Sequence, residues 1–176
     1  MDNNKNRFLI LLVLFLLIAV MVYWGYQKPL VLSVSGAKSH KNAIYKIVGE
    51  NVKLENGIES HPAAPGSASM VTTKYFGNEV SYDFDKDGRE DKAFILTQDM
   101  GGSGTFYFLV YAFNKEDGYV GSEALYIGDR IAPQTTELST EKGKEGMIIV
   151  NYADRKPGES FDIVPSLGKS LYVKLD

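Results

Sequence analysis

The sequence predicts an all-β domain, an antiparallel sandwich or open barrel of about 8–10 short strands, preceded by one N-terminal transmembrane helix. Three observations carry this. From Val71 onward, short segments rich in apolar, aromatic and β-branched residues follow one another, as half-buried strands require. Turn chemistry separates them at Gly77-Asn78, Asp117-Gly118, Gly128-Asp129, Lys142-Gly143 and Pro157-Gly158. At the other end of the chain, FLILLVLFLLIAVMVYW, Phe8 to Trp24, is an unbroken apolar run, near the lower length limit for a helix that spans a bilayer.

The apolar run comes first. Lys5 and Arg7 flank its start, and Tyr23, Trp24 and Tyr26 close it. Basic residues on the near side and an aromatic belt on the far side predict a single pass through the cytoplasmic (inner) membrane with the N-terminus inside. The bulk of the chain is then periplasmic or extracellular. Cleaved leaders have shorter apolar cores that end in small residues, so an uncleaved anchor fits better, with Ser35-Gly36-Ala37 the one small-residue site for the alternative. Residues 1–27 are accordingly read as a cytoplasmic stub and anchor, 28–42 as a juxtamembrane linker, and 43–176 as the extracytoplasmic all-β domain.

Along that domain, AIYKIVGENVKLENG, Ala43 to Gly57, reads as two short strands around a Gly-Glu-Asn turn. IESHPAAPGSASM, Ile58 to Met70, is rich in Pro, Ala, Ser and Gly and reads as a loop. VTTKYF, EVSYDF, KAFILTQ, GTFYFLVYAF, YVGSEALYIG, QTTELS, MIIVNY and SLYVKL then read as successive strands. In GTFYFLVYAF, Phe106, Phe108, Val110 and Ala112 share one face, and Tyr107, Leu109, Tyr111 and Phe113 the other. Both faces are apolar, so this strand is predicted to be central and covered on both sides. Connections this short imply antiparallel neighbours.

Composition removes several function classes. The 176 residues contain no cysteine, which excludes thiol nucleophiles, disulfides, cysteine metal sites and a lipoprotein attachment. The net charge is −3, and without the anchor segment the remainder is one unit more negative; no basic tract suits nucleic acid. His40 and His61 are the only histidines and fall in segments read as linker and loop, so a Ser-His-Asp triad or histidine zinc site is not expected.

The most informative stretch is DFDKDGRED, Asp83 to Asp91. Asp83, Asp85, Asp87 and Asp91 stand at its first, third, fifth and ninth places, with Gly88 at the sixth. Calcium takes six to eight hard oxygens from a flexible loop. Alternate aspartates would point inward, Gly88 would allow the sharp bend, Arg89 would give its backbone carbonyl, and Asp91 would ligate directly or through water. Five acids face two bases across the stretch, a net of −3, and such carboxylates repel unless a cation joins them. The spacing resembles the calcium loops of dockerins and integrin-type propeller repeats. It departs from an EF-hand, since Phe94 stands at the twelfth place and strands flank it. Ca²⁺ is the expected cofactor.

A second candidate is a pair of Asp-Arg corners. GDRIAPQ carries Asp129 and Arg130, and NYADRKPGE carries Asp154 and Arg155. Arginine forks suit carboxylate or phosphate, and the two corners would meet if their strands are neighbours. The glycine-rich GGSG loop after Met100 enters a strand and lacks a following lysine, so a phosphate loop is not expected.

From Ala43 to Gly158, the blocks AIYKIVGENVKLENG, DFDKDGRED, GGSGTFYF, GDRIAPQ and NYADRKPGE together resemble a family of small, uncharacterised bacterial envelope proteins. The resemblance implies an extracytoplasmic bacterial location and supplies no mechanism. The expected protein is therefore a membrane-anchored, calcium-stabilised β domain, a non-enzymatic binding or structural module of the cell envelope with an envelope protein or glycan as partner. The alternative is a hydrolase or carbohydrate-active enzyme using acids of the 128–134 and 151–159 loops.

Overall fold

The structure, a computed structural model, describes residues 36–175. The apolar run Phe8–Trp24, its flanks and most of the linker lie outside them. Among the described residues no helix is long and apolar enough to cross a membrane.

The described chain is all-β. Eleven strands succeed one another: β1 (Ile44–Ile47), β2 (Glu50–Lys53), β3 (Ile58–Pro62), β4 (Met70–Tyr82), β5 (Asp91–Asp99), β6 (Thr105–Lys115), β7 (Gly118–Gly121), β8 (Leu125–Asp129), β9 (Ala132–Leu138), β10 (Ile148–Asp154) and β11 (Leu167–Val173). One short 3₁₀ turn, His40–Asn42, precedes them. They form a two-stranded sheet β1-β2, a six-stranded sheet in the order β3-β4-β5-β6-β7 with β8 also paired to β6, and a three-stranded sheet β11-β10-β9. Pairing within all three sheets is antiparallel.

β6 organises the rest. Phe108, Val110 and Ala112 pack with Phe94 and Leu96 of β5 against Tyr45, Ile47, Val52 and Leu54 of the β1-β2 hairpin. From the opposite face, Leu109 and Tyr111 pack with Ala93 and Ile95 against Ile148, Val150 and Tyr152 of β10. The doubly apolar strand is thus covered on both sides, with one core on each face.

Several local expectations are corrected. Eleven strands replace about 8–10, partly because Ile58–Pro62, expected to be loop, is β3 and pairs with β4. A two-residue turn at Asn56-Gly57, with φ of 52° and 85°, starts it. That is the type I′ geometry that Asn-Gly favours. The turn between β1 and β2 is Val48-Gly49, with φ of 49° and 87°, so Glu50 and Asn51 lie within β2. VTTKYF and EVSYDF are one strand, β4, because Gly77-Asn78 forms a bulge in register between Phe76 and Glu79. The Asn78 amide reaches the other sheet, donating from Nδ2 to the Thr136 carbonyl at 2.7 Å and accepting from the Thr136 N–H at 3.3 Å. Conversely, YVGSEALYIG divides into β7 and β8. Gly121 lies against the Ile44 carbonyl and the Tyr45 ring, where a Cβ would not fit, and the close approach brings β1 against the junction.

Ala37 and His40, within the segment read as linker, contact the domain. Ala37 exchanges backbone hydrogen bonds with Tyr119 of β7 at 3.0 and 2.7 Å. The His40 ring sits 5.4–6.2 Å from the rings of Phe94, Tyr119 and Tyr75.

Candidate metal centre

The aspartate stretch connects β4 to β5. Lys86 and Gly88 take positive φ, 61° and 86°, and wrap the chain so that side chains and amides face inward. Asp83 accepts the Asp87 N–H at 3.1 Å and the Gly88 N–H at 2.9 Å. Asp85 accepts the Asp87 N–H at 3.2 Å, and Asp87 accepts the Arg89 N–H at 3.0 Å. These side-chain bonds satisfy a turn whose backbone has no ladder partner.

Asp91, the first residue of β5, is the deepest member, with no solvent exposure. Its carboxylate accepts the Phe84 N–H at 3.0 Å and the Asn114 N–H at 2.8 Å. Burial raises its pKa above the ordinary carboxylate range, and the charge of Asp85 adds to the rise against those two amides. Asp83, Asp85 and Asp91 each offer a carboxylate oxygen within 4.8 Å of the others, a group that could hold a metal ion. Phe84 turns away from it, into the second core edge-on to Tyr111.

Two charged residues shape the mouth. Lys115, at the end of β6, donates to both Asp85 and Asp87, the latter at 2.9 Å. Arg89 pairs with Asp87 at 2.7 Å and donates from Nε to the Asn114 carbonyl at 2.6 Å. The Lys115 hydrogen bond, helped by Arg89, lowers the Asp87 pKa, while Asp85 and then Asp87 raise that of Lys115. Asp87 thus faces two cations at the rim, and Asp83, Asp85 and Asp91 form the inner group. Asn114 and Lys115 were missed in the sequence. The β5–β6 register, with Lys92 opposite Ala112, carries the end of β6 to the loop.

The two Asp-Arg corners do meet, through backbone rather than through facing acids. Arg155 donates from Nη1 to the Arg130 carbonyl at 2.8 Å and from Nη2 to the Phe161 carbonyl at 3.0 Å. The Arg130 guanidinium lies 3.7 Å from the Phe161 ring centroid and pairs with its neighbour Asp129 at 2.6 Å. Asp154 pairs with Lys169 at 2.7 Å, whose hydrogen bond lowers its pKa. Each charged group of the corners has an intramolecular partner.

No family model, curated protein or solved structure matches this chain.

Proposed function

We propose that the Asp83–Asp91 loop binds Ca²⁺ and that the protein is a membrane-anchored, extracytoplasmic β domain which calcium stabilises, serving as a non-enzymatic binding or structural module of the bacterial cell envelope. The observation that carries the metal reading is the inner group. A fully buried Asp91 shares a 4.8 Å cluster with two further carboxylates, and close carboxylates repel unless a cation or a proton joins them. Hard oxygens on a flexible loop suit calcium; magnesium keeps its waters and rarely takes such a cage. Lys115 already neutralises part of the rim, which favours modest affinity, on the order of 10⁻⁴–10⁻³ M as in extracellular modules. The ion would pin β4 to β5 and to the end of β6. The internal pairing of Asp129, Arg130, Asp154 and Arg155 supports a scaffolding role for those corners over an enzymatic one. The apolar run Phe8–Trp24 and the block resemblance support the envelope location.

Thermal and urea unfolding of the full chain with and without calcium tests this. At about 10 mM calcium the expected gain is about 1.4–2.7 kcal/mol. Asp85→Asn, run beside the parent, should lose that gain. A parent that melts identically in calcium and in chelator sinks the metal reading.

A further inference from the structure

A cleft lies away from the aspartate loop, between β2 and β3. It encloses about 700 Å³ and is lined by Glu50, Asn51 and Lys53 on β2 and by Glu59, Ser60 and His61 on β3. These two strands leave the Asn56-Gly57 turn as a hairpin. Its first rung forms, with Glu55 and Ile58 exchanging hydrogen bonds at 2.8 and 3.2 Å. The next rung of an antiparallel hairpin would join Lys53 to Ser60. It is absent, because β2 goes with the β1 sheet and β3 with the six-stranded sheet, and the cleft opens where the two part.

Alternation identifies the backbone groups left over. The bond from the Leu54 N–H to the Ala43 carbonyl sets the phase of β2, so residues 50, 52 and 54 bond to β1 while Asn51 and Lys53 direct N–H and C=O outward. The bonds Tyr75 N–H to Gly57 carbonyl and Ala63 N–H to Ser69 carbonyl set the phase of β3, so Ser60 directs its N–H and C=O outward. Among the described residues, two unpaired strand edges therefore line one cleft, and an exposed edge is a template for another strand. Pro62, lacking an N–H, ends the open edge of β3. Charge around the cleft is asymmetric: among the described lining residues Glu50, Glu55 and Glu59 outnumber Lys53 and His61, and Glu59 is already turned to His61 Nδ1 at 3.1 Å.

We propose that this cleft receives an extended segment of a partner protein, about 4–5 residues long and carrying lysine or arginine, which adds as a strand to the open edges of β2 and β3. Main-chain hydrogen bonds to Asn51, Lys53 and Ser60 hold the segment, and the glutamates select its charge. The inference stands apart from the metal reading, since it uses no residue of the aspartate loop.

The test is amide NMR and hydrogen exchange on the full chain in non-ionic detergent, with the capped peptide Lys-Val-Lys-Val-Lys-Val, its Glu-for-Lys counterpart, and a neutral β-glucan hexasaccharide. The lysine peptide should shift the Asn51, Lys53 and Ser60 amides and slow their exchange, with Kd on the order of 10⁻⁴ M. The glutamate peptide should bind at least about tenfold more weakly. Ser60→Pro and Lys53→Pro remove outward N–H groups that neither sheet uses, and each variant that melts like the parent should weaken the peptide about tenfold. Silence of all three amides at about 1 mM peptide, undiminished binding by a folded proline variant, or a response to the glycan in place of the peptide overturns the proposal.

Discussion

Val48 is a β-branched residue at φ 49°, four-fifths exposed (81%), in the first position of a two-residue turn. The left-handed region costs such a residue about 1–2 kcal/mol, and type I′ turns favour Asn there. Val48→Asn should therefore stabilise the domain by about 1 kcal/mol, read as a higher urea midpoint at unchanged slope; an unchanged or lower midpoint would show that the side chain contributes packing that its exposure hides. The same scale explains what could be read of the aspartate loop. Aspartates at alternate places announce a shared centre because each spacing repeats locally. Lys115 has no local signature. It lies 30 positions from Asp85 in the chain, and only strand register brings them together.

At the scale of elements, β6 was legible because both alternating sets are apolar, a pattern that one-sided strands do not produce. β3 was obscured by the Pro-Ala-Ser-Gly segment behind it, although Asn56-Gly57 is a strong hairpin signal. Gly77-Asn78 also carries turn chemistry and yet forms a bulge, because the Asn78 side chain finds Thr136 on another sheet, a contact no local pattern encodes. Coverage of β6 on both faces has a direct consequence. Phe108→Ala empties a site in the core beneath the β1-β2 hairpin, and Leu109→Ala one in the core against β10. Adjacent residues on a half-exposed strand would differ sharply, whereas here both substitutions should cost about 2–5 kcal/mol in denaturant unfolding. A near-neutral result for either would remove one of the two covering layers.

At the scale of the whole molecule, the contribution of Asp91 to stability should depend on pH in opposite senses with and without calcium. Burial raises the pKa of Asp91, so the folded chain holds that proton more tightly than the unfolded chain. The resulting stability is full below the ordinary carboxylate range and is lost as pH rises through the raised pKa. His40 works the other way. Its burial among aromatic rings lowers its pKa below 6.5, and Glu79, 2.8 Å away, only partly offsets this ahead of the opposing charges of Lys41 and Lys92. Its contribution is present above 6.5 and disappears as pH falls through the lowered value. Comparing Asp91→Asn with the parent at each pH cancels the His40 contribution and isolates the carboxylate. In chelator, the variant should lose more stability relative to the parent at about pH 4 than at about pH 7, because only at low pH does the parent carry the neutral acid that its buried site prefers. In about 10 mM calcium the ionised carboxylate becomes the useful form, so the deficit at about pH 7 should grow by about 1.4–2.7 kcal/mol. Urea unfolding of both proteins over this range reads the two trends separately. A deficit that is larger at neutral pH without calcium would contradict the burial argument for Asp91, and one that calcium leaves unchanged would remove Asp91 from the candidate metal centre.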